Sequence, residues 1–305
     1  VKSDDPAQGT VERIYGLPLA VDTLAMFYNR DLLNKAGIAE PPKTWGEFQQ
    51  AAKRLTKLDA QGNVIQAGAA MGTGANVERA ADLVALLMMQ NGTQMTDESG
   101  AATFNLIPAA LRGRPTPPGE EAIVFYTDFA NPTKEVYTWN AGMPNSMEAF
   151  VTGRSAFFFG YSYHIPTLRA RAPKLDLAIA KIPQIEGNPE TNYANYWVET
   201  VSKKSAHLNE AWDFIQFATS REQVPNYLNV AKRPTALRAL IGSQLEDLDL
   251  GIFASQVLTA KSWYRGKDPA TAEKAIADMI DAVVRGDTTV REAINMAIGK
   301  VNQTR

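Results

Sequence analysis

The chain has 305 residues, 45% of them hydrophobic and 21% charged. That is the balance of a folded globular protein with apolar material for a core, and the length suits two lobes because single cores stop growing near about 250 to 300 residues. The formal net charge is only -2, with lysine and arginine spread along the sequence, so no basic stripe would neutralise a phosphate backbone and nucleic acid is an unfavoured partner. There is no cysteine, which removes disulfides, thiolate metal sites and thiol catalysis together.

The chain opens on a polar, turn-rich lead-in over residues 1–9 with no signal-peptide pattern, so either processing has removed one or the natural start lies elsewhere. Apolar runs such as residues 14–25, broken by Pro18 and Asp22, and residues 156–160 fall short of the roughly 20 residues that a membrane-spanning helix needs. Residues 14–18 and 24–28 read as extended segments, and residues 31–36 as a helical turn or two ended by Gly37. Thr44 and Glu47 have capping-box spacing, with Phe48, Ala51, Ala52 and Leu55 following at helical intervals. Residues 64–69 read as a strand leading into Met71-Gly72-Thr73-Gly74-Ala75-Asn76, a glycine loop that exposes amides before a helix over residues 78–90.

Further helices are expected over residues 120–131, 146–152 and 165–172, and Ser155 to Phe159 reads as a strand buried on both faces. Residues 175–179 and 193–202 read as strands. Residues 209–218 read as an amphipathic helix burying Ala211, Phe214, Ile215 and Ala218. Thr289 and Glu292 form a second capping box, followed by Val290, Ala293, Ile294, Ala297, Ile298 and Val301 on one helical face. Strands and helices interleave throughout, which predicts an α/β fold of layered sheets and helices.

Catalytic groups are scarce. Of the two histidines, His164 and His207, neither sits in a ligand-spaced pair, and both are expected to be structural or solvated. No zinc-protease helix motif, nucleophile elbow or P-loop occurs, and Val77 stands where a third dinucleotide glycine would fall. Neither a cofactor nor a metal is expected. Carboxylate pairs such as Asp4-Asp5, Glu120-Glu121 and Asp247-Asp249 read as solvated faces. Aromatics beside polar groups are the more informative feature: Trp139, Tyr161, Tyr163, Tyr193, Tyr196, Trp197, Trp263 and Tyr264, with Asn195 and Glu199 flanking one pair. Sugar rings stack their C–H faces on aromatics while their hydroxyls need carboxylate, amide or guanidinium partners, so the mixture suits a carbohydrate pocket.

The order of several motifs resembles a known family. Tyr15-Gly16-Leu17-Pro18, Asp22-Thr23-Leu24, Phe27-Tyr28-Asn29-Arg30-Asp31-Leu32-Leu33, Ala36-Gly37, Pro41-Pro42-Lys43-Thr44-Trp45 and Glu47-Phe48 are similar to the inter-lobe crossing of extracellular solute-binding proteins of ABC importers, the maltose- and oligosaccharide-binding class known as family 1. Residues 149–157, 201–205 with 209–217, Arg233-Pro234-Thr235 and the 289–293 tail follow in the family's order. The match weakens over residues 101–145 and 240–263.

The resemblance implies a two-lobed periplasmic-binding-protein-like clamp that closes on a sugar, by preference an oligosaccharide, and presents it to a membrane permease. It implies an extracellular or periplasmic location, with a lipoprotein anchor outside this chain as one form of tethering. It places Asp22 at a polar ligand-contact position, Asn76 at the cleft loop, Tyr163 and Trp263 at aromatics that stack on sugar, and Asn195, Tyr196 and Trp197 beside the second crossover strand; with Tyr161, Glu199 and Tyr264 from the set of aromatics and polar groups above, these are the expected ligand contacts, with no catalytic residue. It divides the chain into a lead-in and crossover (residues 1–18), the C-terminal lobe (19–200 and 246–305) and a return segment of the N-terminal lobe (201–245). Family members carry about a hundred residues before the Tyr-Gly-Leu-Pro motif, a length close to a small domain. The N-terminal lobe is therefore expected to be incomplete here, its remainder being a separate or cleaved chain, or a part removed or otherwise not included, and Phe214, Ile215 and Phe217 are expected to form an apolar surface. Two alternatives stay open: a carbohydrate-active enzyme, recognised by carboxyl groups about 5 to 9.5 Å apart across a pocket, and a non-transport derivative of the binding fold.

Overall fold

The structure, a computed structural model, describes residues 2–5, 9–12 and 14–304. Of the lead-in, Val1, Pro6, Ala7 and Gln8 lie outside the described residues. Its described parts, β1 (Lys2–Asp5) and β2 (Gly9–Glu12), pair as an antiparallel hairpin where only turns were expected.

In chain order there follow β3 (Val21–Thr23), β4 (Ala25–Asn29), α1 (Arg30–Lys35), α2 (Trp45–Leu55), β5 (Lys57–Leu58), β6 (Val64–Ala69), α3 (Ala80–Gln90), α4 (Pro118–Asp128), α5 (Ser146–Val151) and β7 (Ser155–Gly160). Then come α6 (His164–Arg171), β8 (Leu177–Ala180), β9 (Asn192–Tyr196), α7 (Leu208–Ala218), α8 (Val224–Ala231), α9 (Arg238–Gln244), α10 (Gly251–Gln256), β10 (Ala260–Lys261), α11 (Pro269–Arg285) and α12 (Val290–Asn302). The main sheet has the order β5-β6-β7-β4-β8, with β6 and β7 parallel and β4 antiparallel to both neighbours. A smaller sheet, β10-β9-β3, stands beside it.

Side chains alternate across a strand, and β7 uses that alternation to build two cores. Phe157 and Phe159 enter a large cluster with residues of α2, α3, α4, α11 and α12, whereas Phe158 packs with Phe27, Phe150, Ile165, Leu168 and Phe253 on the opposite face. Every residue of β7 is buried, as a strand covered on both sides requires. The result is a layered α/β body. Both capping boxes form: Thr44 accepts from the Glu47 amide and Thr289 from the Glu292 amide, with the glutamates returning to the cap residues' own amides. Each cap stabilises its helix by about 1 kcal/mol. Gly68 lets β6 approach α2, since a Cβ there would lie 2.0 Å from the Ala52 carbonyl oxygen.

Three expectations are corrected. β9 ends at Tyr196 instead of reaching residue 202, because beyond it the chain leaves the sheet and makes only the isolated bridge between Leu17 and Glu199. Residues 14–18 likewise form no strand beyond that bridge. In α7, Ile215 is the one buried residue, while Phe214 is 68% and Phe217 59% exposed. The periodicity gave the apolar face correctly, but among the described residues only its Ile215 side is covered, with Ala211 and Ala218 half-buried. Phe214, Phe217 and Tyr227 instead line an open groove with Leu19 and Val201.

Candidate functional site

The site is built where β3 and the end of β7 meet the segment after α8. β3 is anchored from behind: the Thr23 hydroxyl donates to the Phe253 carbonyl, and Gln256, fully buried, donates to Thr23 Oγ1 and to the Leu24 carbonyl. Its other edge pairs with β9, placing Asp22 opposite Asn195 so that the two side chains share a face. The Val21 amide donates to the Pro234 carbonyl at 3.1 Å, which brings Arg233 alongside.

Asp22 is 5% exposed. Its carboxylate accepts from the Ser162 hydroxyl at 2.7 Å, from the Ser162 amide and from the Thr23 amide, and pairs with Arg233 at 3.3 Å. Burial raises its pKa above the ordinary 3.8, outweighing the bonds from Ser162 and the charge of Arg233 that pull it down. The Arg233 guanidinium also lies 5.1 Å from the ring centroid of Tyr163, within cation–π range. Tyr163 is half-buried, with His164 at 4.2 Å and Tyr161 stacked at 5.5 Å between centroids. Burial pushes the Tyr163 hydroxyl up to about 12.

Beside Tyr163 and Tyr161 runs a continuous ionic network. Tyr161 has no exposed surface, and its hydroxyl donates to Asp82 at 2.6 Å. Arg79 donates through Nε and Nη2 to the same Asp82 oxygen at 2.7 and 2.5 Å and reaches Glu273 at 3.3 Å. Arg265 pairs with Glu273 and lies 4.0 Å from Asp82. Burial works against the charge on Arg79, but Asp82, Tyr161 and Glu273 more than offset it, and its pKa is raised. Burial also raises Tyr161 and Tyr193, and Asp82 adds to both shifts. Arg79 adopts φ 58°, a left-handed conformation uncommon outside glycine, with its side chain held on Asp82. Beside this network, His164 Nδ1 accepts the Tyr161 amide, which assigns the Nε2 proton to the contact with Glu78 at 3.1 Å.

The expected site residues separate into two sets. Asp22, Tyr163 and Asn195 come together. Tyr196 reaches Ser262 through its hydroxyl at 3.3 Å, which carries the small sheet toward Trp263 and Tyr264. Trp263 packs edge-on against Phe104, and its buried indole N–H has no partner among the described residues. Tyr264 is half-exposed beside Gly100.

Tyr161 is corrected from ligand contact to support, being wholly covered. Asn76 is corrected as well: its amide donates to the Asn140 and Met143 carbonyls while its oxygen accepts from Thr73 and Trp139, which exhausts its capacity. In the glycine loop the Gly74 amide is already engaged, donating to Asp281 at 2.6 Å. Trp197, 84% exposed, and Glu199 stand past the end of β9, Glu199 at the bridge to Leu17. Sequence reasoning missed Arg79, Asp82, Arg265 and Glu273. The available signal was Asp82, a lone carboxylate in an otherwise apolar helix.

Among the described residues no cluster of metal-ligating side chains occurs, and no helix is long and apolar enough to cross a membrane. Aromatic faces, fixed dipoles and compensated charges are thus brought together on a layered α/β frame. The family profile for bacterial extracellular solute-binding proteins matches residues 2–225, and the chain belongs to that family.

Among curated relatives it is similar to the multiple sugar-binding protein of Streptococcus mutans, at 20% identity over 75% of this chain and 53% of that one. It is also similar to the arabinooligosaccharide-binding protein of Bacillus subtilis, at 24% identity over 69% of this chain and 46% of that one. The chain thus spans about half the length of the curated relatives it matches. Its fold is shared with an ABC transporter solute-binding protein of Thermotoga lettingae bound with α-D-tagatose, at TM-score 0.70 and 21% identity over 95% of this chain and 72% of that one. It is shared too with the cyclic α-maltosyl-1,6-maltose binding protein of Arthrobacter globiformis, at TM-score 0.74 and 18% identity over 95% and 72%.

Proposed function

We propose that this chain carries the solute-binding wall of an ABC-importer binding protein that captures a carbohydrate, by preference an oligosaccharide, and delivers it to a membrane permease outside the cytoplasm. The observation that carries the proposal is the half-buried Tyr163 ring set among Asp22, Arg233 and Glu78, an aromatic face with polar groups fixed around it. Sugar-binding relatives and the tagatose-bound neighbour support the class of ligand. The orphaned indole N–H of Trp263 supports it as well: a hydroxyl that reached it would satisfy a donor whose isolation costs about 1 to 3 kcal/mol. Asp22, Tyr163, Asn195, Tyr196, Trp263 and Tyr264 are the proposed ligand contacts, with Trp197 and Glu199 at the margin of the cleft.

The proposed motion is hinge closure, in which ligand favours the closed clamp by touching both walls. Candidate hinge points are the Leu17 and Glu199 pair, bonded both ways at 3.0 and 2.9 Å, and the contact of Val21 with Pro234. Residues 19–200 and 246–305 would form the C-terminal lobe and residues 201–245 the return segment of the N-terminal lobe. The apolar face of α7 supports a sheet of that lobe lying on it, supplied by polypeptide outside these 305 residues, as a separate or cleaved chain or otherwise. Asp22, Asp82 and Glu273 are each held by an arginine, which favours binding over bond cleavage.

The test is thermal unfolding of the full-length protein against mono- and oligosaccharides, since a ligand bound only to the folded state raises its stability by mass action. A shift with one sugar class is expected. Absence of any shift across the panel would overturn the carbohydrate reading.

A further inference from the structure

We infer that the wall is built for an uncharged saccharide and discriminates against uronates and other acidic sugars. The inference rests on the carbohydrate reading above and deepens it.

Three guanidinium groups border the candidate site, and each is already paired with a carboxylate: Arg233 with Asp22, Arg79 with Asp82 and Glu273, and Arg265 with Glu273. A fourth carboxylate, Glu78, faces His164. Four acids therefore stand against three guanidinium groups and one imidazole. The side chains of Arg79, Arg233, Arg265, Glu78 and Glu273 are between 25% and 34% exposed, so they form the rim of the wall and not its interior.

A ligand carboxylate arriving here would lose water without finding an uncompensated cation, and would lie near acids already in place. An unpaired charge at a partly desolvated site is a device for rejecting the wrong ligand. Hydroxyls meet no such penalty. Each guanidinium has five N–H donors in a fixed fork, and the carboxylate pairs use only some of them, so the remainder can donate to hydroxyl oxygens while the charges stay balanced. Hydroxyls can donate in turn to the exposed oxygens of Glu78 and Glu273. The network thus offers directional hydrogen bonding with no net attraction for an anion.

Glu273 is the residue on which the discrimination turns, because it compensates both Arg79 and Arg265. Replacing it by glutamine keeps the shape and frees positive charge at the rim.

The experiment measures dissociation constants of the full-length protein by calorimetry at fixed ionic strength. Maltotriose, mannobiose and mannotriose are compared with digalacturonate, trigalacturonate and mannuronate oligomers. Neutral saccharides are expected to bind at least tenfold more tightly than any uronate, and Glu273→Gln to narrow that ratio by strengthening uronate binding. Uronate binding equal to or tighter than neutral binding overturns this inference and leaves the carbohydrate reading standing. A Glu273→Gln protein that folds, by circular dichroism, with the ratio unchanged also overturns it. Failure of both ligand classes to bind overturns the carbohydrate reading and this inference together.

Discussion

The hydroxyl of Ser162 donates to the carboxylate of Asp22 at 2.7 Å, joining residues 140 positions apart and locking the end of β7 to β3. The bond orients a carboxylate whose pKa burial has raised. A raised native value means that the contribution of Asp22 to stability is complete below its ordinary 3.8 and is lost as pH rises through the native value. Asp22→Asn removes that ionisation. The melting temperature of the variant relative to the parent is therefore expected to become more favourable as pH rises from 3.5 toward 7, measured by calorimetry across the range. A difference that stays flat, or moves the other way, would refute the role given to burial.

Asp82 holds Tyr161, Arg79 and, more distantly, Arg265. Removing one partner of a buried ion pair leaves uncompensated charge and costs about 3 to 5 kcal/mol. Asp82→Ala is expected to lower unfolding stability by the lower part of that range, since Glu273 still compensates the arginines. Tyr161→Phe is expected to cost less, about 1.5 to 3 kcal/mol, through one lost hydrogen bond to a charged group. Urea denaturation of both variants checks the order, and equal losses would show that Tyr161 acts mainly through Asp82.

How much of this could be read from the chain depended on the range of the interaction. The capping boxes at Thr44 and Thr289 were legible because both partners lie within one helical turn. β7 was legible because a run of apolar side chains admits few other placements. Asn76 was not, since its four bonds go to Thr73, Trp139, Asn140 and Met143, and three of those partners lie more than 60 positions away. Arg79 and Glu273, 194 positions apart, escaped for the same reason. The exposure of Phe214 escaped for a different one: periodicity identifies which face of a helix is apolar, not what lies against it.

The tyrosines give a second pH signature. Of the 10 in the sequence, Tyr126, Tyr161, Tyr163 and Tyr193 all have raised pKa values, with burial the largest cause for each. Tyr163 reaches about 12 from an ordinary 10.0. The unfolded chain therefore releases these protons first, so stability is intact below pH 10 and declines as pH rises through 12. Spectrophotometric titration at the phenolate band is expected to show these four ionising last, in step with loss of tertiary circular dichroism. A titration that finished near pH 10.5 with the fold intact would contradict the burial described for them.

Phe214 and Phe217 test the lobe assignment. Both rings are more than half exposed here, and truncating an exposed side chain leaves stability within about 0.5 kcal/mol. If a sheet of the N-terminal lobe lies on α7 in the full-length protein, the same rings are buried there, and each is worth about 1.5 to 3 kcal/mol. Phe217→Ser is therefore expected to cost little in the 305-residue polypeptide and at least 1.5 kcal/mol in the full-length protein, measured by denaturant unfolding of each. In the shorter polypeptide it is also expected to reduce self-association in sedimentation, because it shrinks the apolar surface open to a second copy. Equal and small effects in both would remove the basis for placing residues 201–245 in an N-terminal lobe, whereas a loss confined to the longer protein would show that α7 completes a core to which these 305 residues contribute one side.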